Sequence, residues 1–298
     1  MIPGKTGKSE SVIPLQPKPR WLKVKAPLSQ ECLGVERLLK DLKLHTVCQS
    51  ASCPNRGQCW SDGEAAFMIL GNICTRRCGF CDVTTGRPQP VDHQEPIRLA
   101  KAATALKLKH VVITSVNRDD LPDGGATQFA ACITALRTTA APPTIEVLTP
   151  DFQGNTQNLD LVLAALPDVF NLNVETVSRL YPKVRPASDY AMVMKLLAWA
   201  SSHTQGAIKS GIMMGLGEEP DEVIQTLRDL RSSGVTLLTI GQYLRPSPTH
   251  LPVARYVSPE EFDRMGQIAK ELGFHRVASH PLARSSFHAE HLFHGPTS

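Results

Sequence analysis

The chain has 298 residues, 42% of them apolar and 20% charged, with 32 basic against 28 acidic side chains and a formal net charge of +4. This composition excludes a wholly disordered chain, and the length suits one barrel-like catalytic domain with appendages. No run approaches the roughly 18 continuous apolar residues of a membrane span and no apolar leader is present, so a cytoplasmic protein with no membrane association is expected. Basic residues gather between Lys5 and Lys25, yet only Trp21 accompanies them, which falls short of the basic, aromatic-studded stripe of a nucleic-acid binder.

Residues 1–27 hold Pro3, Pro14, Pro17, Pro19 and Pro27 with little hydrophobic periodicity and read as an extended arm. Further on, apolar runs recur at Ala65–Leu70, His110–Val116, Thr144–Thr149, Val169–Val174, Ala207–Gly215 and Val235–Tyr243. Each is short and rich in Val, Ile or Leu, as strands buried in a parallel sheet are. Segments of 3.6-residue period between and after them predict helices over 95–108, 126–139, 156–165, 188–203, 220–233 and 259–272. Six strand-helix units imply a parallel α/β architecture with right-handed crossovers. A partial (β/α)6 TIM-like barrel fits best, because six units fall short of the eight that close one; a flat doubly wound sheet shows the same alternation. In both, chemistry belongs in the loops at the carboxyl ends of the strands.

Eight cysteines in a chain of this length point to metal or redox chemistry and away from an extracellular disulfide framework. Six fall within 34 residues, as Cys48, Cys53 and Cys59 and then Cys74, Cys78 and Cys81, while Cys32 and Cys132 stand apart. Thiolates in threes at loop spacing suit iron-sulfur clusters or zinc. The second triplet, CTRRCGFC, follows the strand Ala65–Leu70 and so occupies the first loop of the catalytic face. Structural zinc takes four protein ligands, so a zinc knuckle here would need a distant histidine such as His93 or His110. Three thiolates from one loop instead leave one iron of a cubane open to a small molecule. Phe80, inside the motif, reads as a shield over such a cluster.

CxxxCxFC after the first strand resembles the signature of the radical S-adenosylmethionine superfamily. That resemblance implies a 4Fe-4S cluster on Cys74, Cys78 and Cys81 whose open iron is chelated by S-adenosylmethionine, with reductive cleavage to methionine and a 5′-deoxyadenosyl radical. The upstream CQSASCPNRGQCW, of form CxxxxCxxxxxC, resembles the auxiliary-cluster motif of the lipoyl synthases. Further matches run through MILGNICTRRCGFCDV, VVITSVNRDDLPDGGA, IEVLTPDFQG, NVETVSRLYPKVRP, GIMMGLGE, GQYLRPS, HLPVARYV and RSSFHAE, so the resemblance spans about residues 30–290.

For the organisation of the chain, the resemblance implies an auxiliary-cluster extension at 28–63, the radical barrel at 64–275 and a C-terminal segment at 276–298 that closes over the extension. Cys48, Cys53 and Cys59 would hold a second 4Fe-4S cluster. A serine of the Arg284-Ser285-Ser286 motif would give its fourth iron an alkoxide; Ser286 takes the role, with Ser285 the alternative, and Arg284 is placed beside it in the catalytic set. Without the upstream triplet these serines would read as tail residues at the surface. Gly215 and Gly217 are expected to approach S-adenosylmethionine, or equally to serve a turn. Glu175 and Arg185 are expected to grip its ribose hydroxyls and carboxylate, a surface ion pair being the competing reading. Asp119, Asp120 and Asp123 resemble a cation site, but the Pro and Gly among them argue for a rigid loop.

The implied activity is insertion of two sulfur atoms, drawn from the auxiliary cluster, at C6 and C8 of a protein-bound N6-octanoyl-lysine. The implied partners are octanoylated lipoyl carrier proteins, such as the 2-oxoacid dehydrogenase E2 domain and the glycine cleavage H protein, and a ferredoxin or flavodoxin reductant. Trp21 and the basic residues of the arm are expected to help dock the carrier or shield the clusters. The chain departs from the family pattern at Asn117 (usually Asp), Leu172 (usually His), Arg245 (usually Gln) and His280 (usually Gly). A bare electron carrier would need neither six strand-helix units nor the GLGE loop.

Overall fold

The structure is a computed structural model that describes residues 17–295 apart from Lys25 and Gly63. Most of the expected arm, including Pro3, Lys5 and Pro14, lies outside the described residues.

Seven strands run parallel: Ala66–Ile69, His110–Ser115, Thr144–Leu148, Val169–Asn171, Ala207–Met214, Leu237–Gln242 and Arg276–Ser279. Each pairs with the next in chain order. A doubly wound sheet reverses its strand order at a switch point, whereas this order never reverses. The architecture is therefore a barrel-type sheet, and it is open, since among the described residues no pairing joins its first and last strands. The outer edge of the first strand is covered by an antiparallel pairing with His45–Thr46.

The seventh strand adds to the six read from the sequence. It is four residues long and only half-buried, so it lacks the apolar run that marks the others. The six expected helices form at Glu95–Ala105, Ala126–Arg137, Thr156–Leu163, Tyr190–His203, Pro220–Ser232 and Pro259–Glu271. The last shows why its bounds are sharp: Ser258 and Glu261 form a reciprocal capping box, Pro259 occupies the first turn, and Phe262, Met265 and Ala269 turn one face inward. Val111, Ile113, Ile145, Val147, Leu238 and Ile240 are fully inaccessible. Burial of such side chains contributes about 1.5–3 kcal/mol each, which fixes the strands that carry the site loops.

Before the barrel, helix Gln30–Asp41 is capped by Ser29, whose hydroxyl accepts from the Cys32 backbone N–H at 3.2 Å. It buries Cys32, Val35 and Leu39 and packs on the short helix Arg56–Ser61. Cys132 is likewise a core residue, on Ala126–Arg137. No helix among the described residues is long and apolar enough to cross a membrane.

Candidate functional site

One cavity of about 410 Å³ opens at the carboxyl ends of the strands. It is lined by Cys48 and Cys53 from the extension, by Cys74, Cys78 and Cys81 from the first barrel loop, and by Arg284, Ser285 and Ser286 from the C-terminal segment. Cys59 is buried and does not line the cavity. Two cysteines of the first triplet and all three of the second, separate in sequence, thus face a single space.

Local backbone explains each loop. Ile73–Cys74 pairs with Thr84–Thr85 and closes the base of the second cysteine loop. At its tip, Gly79 donates to Val184 O at 2.9 Å and accepts from Leu251 N at 3.1 Å. A Cβ on Gly79 would stand 2.8 Å from Leu251 Cδ1 and 3.0 Å from Lys183 O, so the motif requires glycine there. Cys74 Sγ accepts from the backbone N–H groups of Arg76 at 3.4 Å and Asn117 at 3.3 Å, and from Asn117 Nδ2 at 3.7 Å. In the upstream loop, Cys53 N donates to Cys48 O at 3.1 Å and Cys59 N to Asn55 O at 2.9 Å, over a buried Trp60.

Burial pushes the Cys48 and Cys78 thiols up to about 11 and Cys81 to about 12. Cys53 raises Cys48 further, and Cys59 is pushed up by burial and then by Cys48. These thiols become thiolates at neutral pH only beside added positive charge, which bound iron provides. Among the described residues no three Cys, His, Asp or Glu side chains converge on a point that could hold one ion. Neither histidine considered for zinc reaches the triplet: His93 is exposed, and His110 lies in the barrel interior with its Nδ1 at 2.7 Å from Thr144 Oγ1.

The C-terminal segment lines the cavity with Ala283, Arg284, Ser285 and Ser286; Asn55 Nδ2 of the extension donates to Leu282 O at 2.7 Å, and His288 Nδ1 lies 3.1 Å from Glu64 Oε1 just before the first barrel strand. Arg284 lies beside Cys53 and Glu175. Ser285 Oγ donates to Asn173 Oδ1 at 2.9 Å, while among the described residues no hydrogen bond engages the Ser286 hydroxyl. Gly241 makes this path possible, for a Cβ there would stand 2.1 Å from Ala283 O.

Glu175 and Arg185 both line the cavity. Arg185 is buried and donates to Asn173 O at 2.8 Å, with Tyr181 beneath its guanidinium at 5.7 Å, so it is not half of a surface ion pair. Glu175 is held at a φ of 67°, a left-handed conformation that costs a non-glycine residue energy and clusters at working sites. Burial raises its carboxyl, against the pull of Arg185.

Gly215 and Gly217 do not line the cavity. Their φ values of 102° and 105° belong to the turn reading, and the N–H groups of Gly215 and Leu216 are taken by the Glu218 carboxylate at 2.6 and 2.8 Å. The acidic loop is rigid as expected: Asp119 binds Arg76, Asp120 binds Arg118, and Asp123 accepts from the N–H groups of Gly125 and Thr127. Arg76, buried between Asp119 (2.7 Å) and Asp151 (2.8 Å), ties the cysteine loop to the loop after the third strand. Sequence reasoning passed over it; its position inside the CxxxC spacing was the available signal. Of the four departures, Asn117, Leu172 and Arg245 line the cavity, and His280 stacks edge-on with Phe287 at 5.8 Å.

A family model for the Radical SAM superfamily matches residues 68–230. The lipoyl synthase of Nitrosococcus oceani is 53% identical over 95% of this chain and 88% of its own length. That of Methylococcus capsulatus is 55% identical over 95% and 88%. The chain belongs to the lipoyl synthase family. The crystal structure of a methylornithine synthase superposes with a TM-score of 0.51 at 15% identity, covering 76% of this chain and 64% of that one, a likeness of fold. As a lipoyl synthase, the chain works with S-adenosylmethionine and 4Fe-4S clusters, and the five thiols that line the cavity, with Cys59 close by in sequence, are donors of the kind such clusters take.

Proposed function

We propose that Cys74, Cys78 and Cys81 hold the cluster that binds S-adenosylmethionine, that Cys48, Cys53 and Cys59 hold the auxiliary cluster, and that Ser286 supplies the oxygen for its remaining iron. The observation that carries this assignment is the single cavity lined by Cys48 and Cys53 of the first triplet, all three cysteines of the second, and the C-terminal serines. When bound, the cofactors supply a 5′-deoxyadenosyl radical and the sulfur that is inserted at C6 and C8 of N6-octanoyl-lysine.

The chain's own task is orientation and exclusion of water. Arg185, pinned by Asn173 O and Tyr181, presents a fixed guanidinium to the carboxylate of S-adenosylmethionine. Glu175, held in place by its strained backbone and by bonds from its own N–H to Gly211 O and from Met213 N to its carbonyl, would accept from the ribose hydroxyls when the cofactor is bound. Phe80, Val83, Leu172 and Met213 form apolar walls for an alkyl chain. Ser285 already has Asn173 as a partner, which leaves Ser286 as the free hydroxyl of the pair. Lys18 at the cavity edge and half-exposed Trp21 belong to the side from which a carrier domain enters. The carriers proposed are octanoylated 2-oxoacid dehydrogenase E2 domain and glycine cleavage H protein, and the electrons come from ferredoxin or flavodoxin in the cytoplasm.

The test is anaerobic reconstitution followed by incubation with an octanoyl-lysyl peptide, S-adenosylmethionine and dithionite. Mass spectrometry is expected to show 5′-deoxyadenosine, methionine and a lipoyl peptide. Deoxyadenosine with unchanged octanoyl peptide would contradict the assigned roles.

A further inference from the structure

The barrel interior holds a charge pair that the chemistry above leaves unused. Lys209, on the fifth parallel strand, and Glu146, on the third, are both fully inaccessible, and Lys209 Nζ lies 2.9 and 2.8 Å from the two Glu146 oxygens. Glu146 Oε1 also accepts from Asn171 Nδ2 at 2.8 Å, and His110 Nε2 stands 3.5 Å from Oε2. Stability alone does not account for this pair, since well-packed apolar residues of the same volume do as well or better. The remaining hydrogen of the ammonium does: Lys209 Nζ donates to the Ser285 carbonyl at 2.6 Å, across 76 residues of chain. An ammonium has three donors, and here two go to the carboxylate and one to the C-terminal segment.

We infer that the buried Lys209–Glu146 pair is a positioning device that clamps the C-terminal segment through the Ser285 carbonyl and so presents Ser286 to the cavity. The inference rests on the reading of Ser286 as the auxiliary-cluster ligand. Glu146, fixed from its own side by Asn171, sets where the ammonium stands, and the ammonium sets where Ser285 stands. The bond is charge-assisted and sits in a dry interior, so it is stronger than an exposed one. Ser285 Oγ and Asn173 Oδ1 hold the same residue from its side chain at 2.9 Å. Lys209 and Glu146 touch neither substrate nor cofactor in this account and act only through Ser285.

Removing Lys209 alone would strand a buried carboxylate, so the main variant is Lys209→Met with Glu146→Gln, which is neutral and keeps an acceptor for Asn171. In the anaerobically reconstituted holoenzyme, the backbone amides of 282–288 should exchange hydrogen about tenfold faster or more, while the strand amides stay slow. The EPR or Mössbauer signature of the auxiliary cluster should change with that of the other cluster unchanged, which a general loss of stability would not produce. Lipoyl product should fall and deoxyadenosine formation persist. Ser285→Ala leaves the core pair and the carbonyl in place; its segment should stay seated, with exchange within about threefold of the parent. Normal exchange in the double variant, or a segment freed by Ser285→Ala alone, would overturn the clamp. Ser286→Ala separates the two readings: normal lipoyl yield there would refute the ligand role, whereas segment exchange reports on the clamp by itself.

Discussion

Gly241→Ala offers a graded way to lift the C-terminal segment without touching an iron ligand. A Cβ at position 241 would stand 2.1 Å from Ala283 O, about 1.3 Å short of ordinary contact, and 3.0 Å from Arg284 Nη1. The sixth strand is held on both sides by its parallel neighbours, so the segment has to move. A shift of that size is incompatible with a hydrogen bond of 2.6 Å from Lys209 to Ser285 O and one of 2.9 Å from Ser285 to Asn173. Overpacking of this kind costs about 1–3 kcal/mol. Loss of a bond to a charged group adds about 1.5–3 kcal/mol, so the seated state should become at least tenfold less populated. Deoxyadenosine and lipoyl peptide, quantified in one anaerobic reaction, should diverge: the first near parental level, the second lower by about tenfold or more. Parental lipoyl yield in Gly241→Ala would refute the claim that the seated segment is required for sulfur insertion.

Asn117→Asp replaces the Nδ2–H that faces Cys74 Sγ at 3.7 Å with an anion, so the reduction potential of that cluster should fall by tens of millivolts, about 59 mV per tenfold; an unchanged EPR redox titration would contradict this. Arg76→Met takes from wholly inaccessible Asp151 its 2.8 Å ion-pair partner and leaves it Ser188, the Gln153 N–H at 3.1 Å and a 3.5 Å contact to Arg185; chemical denaturation should show a loss of about 1.5–3 kcal/mol, and a loss under 1 kcal/mol would contradict it. Burial works to raise the Glu146 carboxyl, but Lys209 and then His110 bring it to about 2 from an ordinary 4.5. A depressed carboxyl stabilises the fold above its unfolded value, and that contribution is lost as pH falls from about 4.5 towards 2. Glu146→Gln should therefore flatten the acid limb of stability against pH, and an unchanged limb would show that other carboxylates set it.

The strands and helices of the barrel were legible because they are continuous apolar runs and one-sided 3.6-residue patterns with strong caps, as Ser258 and Pro259 show. The strand Arg276–Ser279 was not, since its half-buried RVAS owes its form to pairing with the sixth strand. Helix Gln30–Asp41 did carry a signal, an N-cap at Ser29 followed by Cys32, Val35 and Leu39, which the cysteine motifs beside it overshadowed. That Cys74, Cys78 and Cys81 belong to the loop after the first strand was legible from their position behind an apolar run. Of the two readings of Gly215 and Gly217, the turn is the one their positive φ and the Glu218 carboxylate carry. Lys209 and Glu146 stand inside the apolar runs AIKSGIMM and TIEVL, and a charge in such a run has to find its opposite on a neighbouring element, but sequence does not say which. Only the fold shows that the Ser285 carbonyl completes the pair.

The division of labour between the two triplets is tested most directly by comparing Cys78→Ala with Cys53→Ala under identical anaerobic reconstitution, counting deoxyadenosine and lipoyl peptide in each. Cys78 belongs to the loop that follows the first strand, and Cys53 to the extension, although both open on the same cavity. The account predicts that Cys78→Ala makes neither product and that Cys53→Ala still makes deoxyadenosine but no lipoyl peptide. Lipoyl peptide from Cys53→Ala would contradict it.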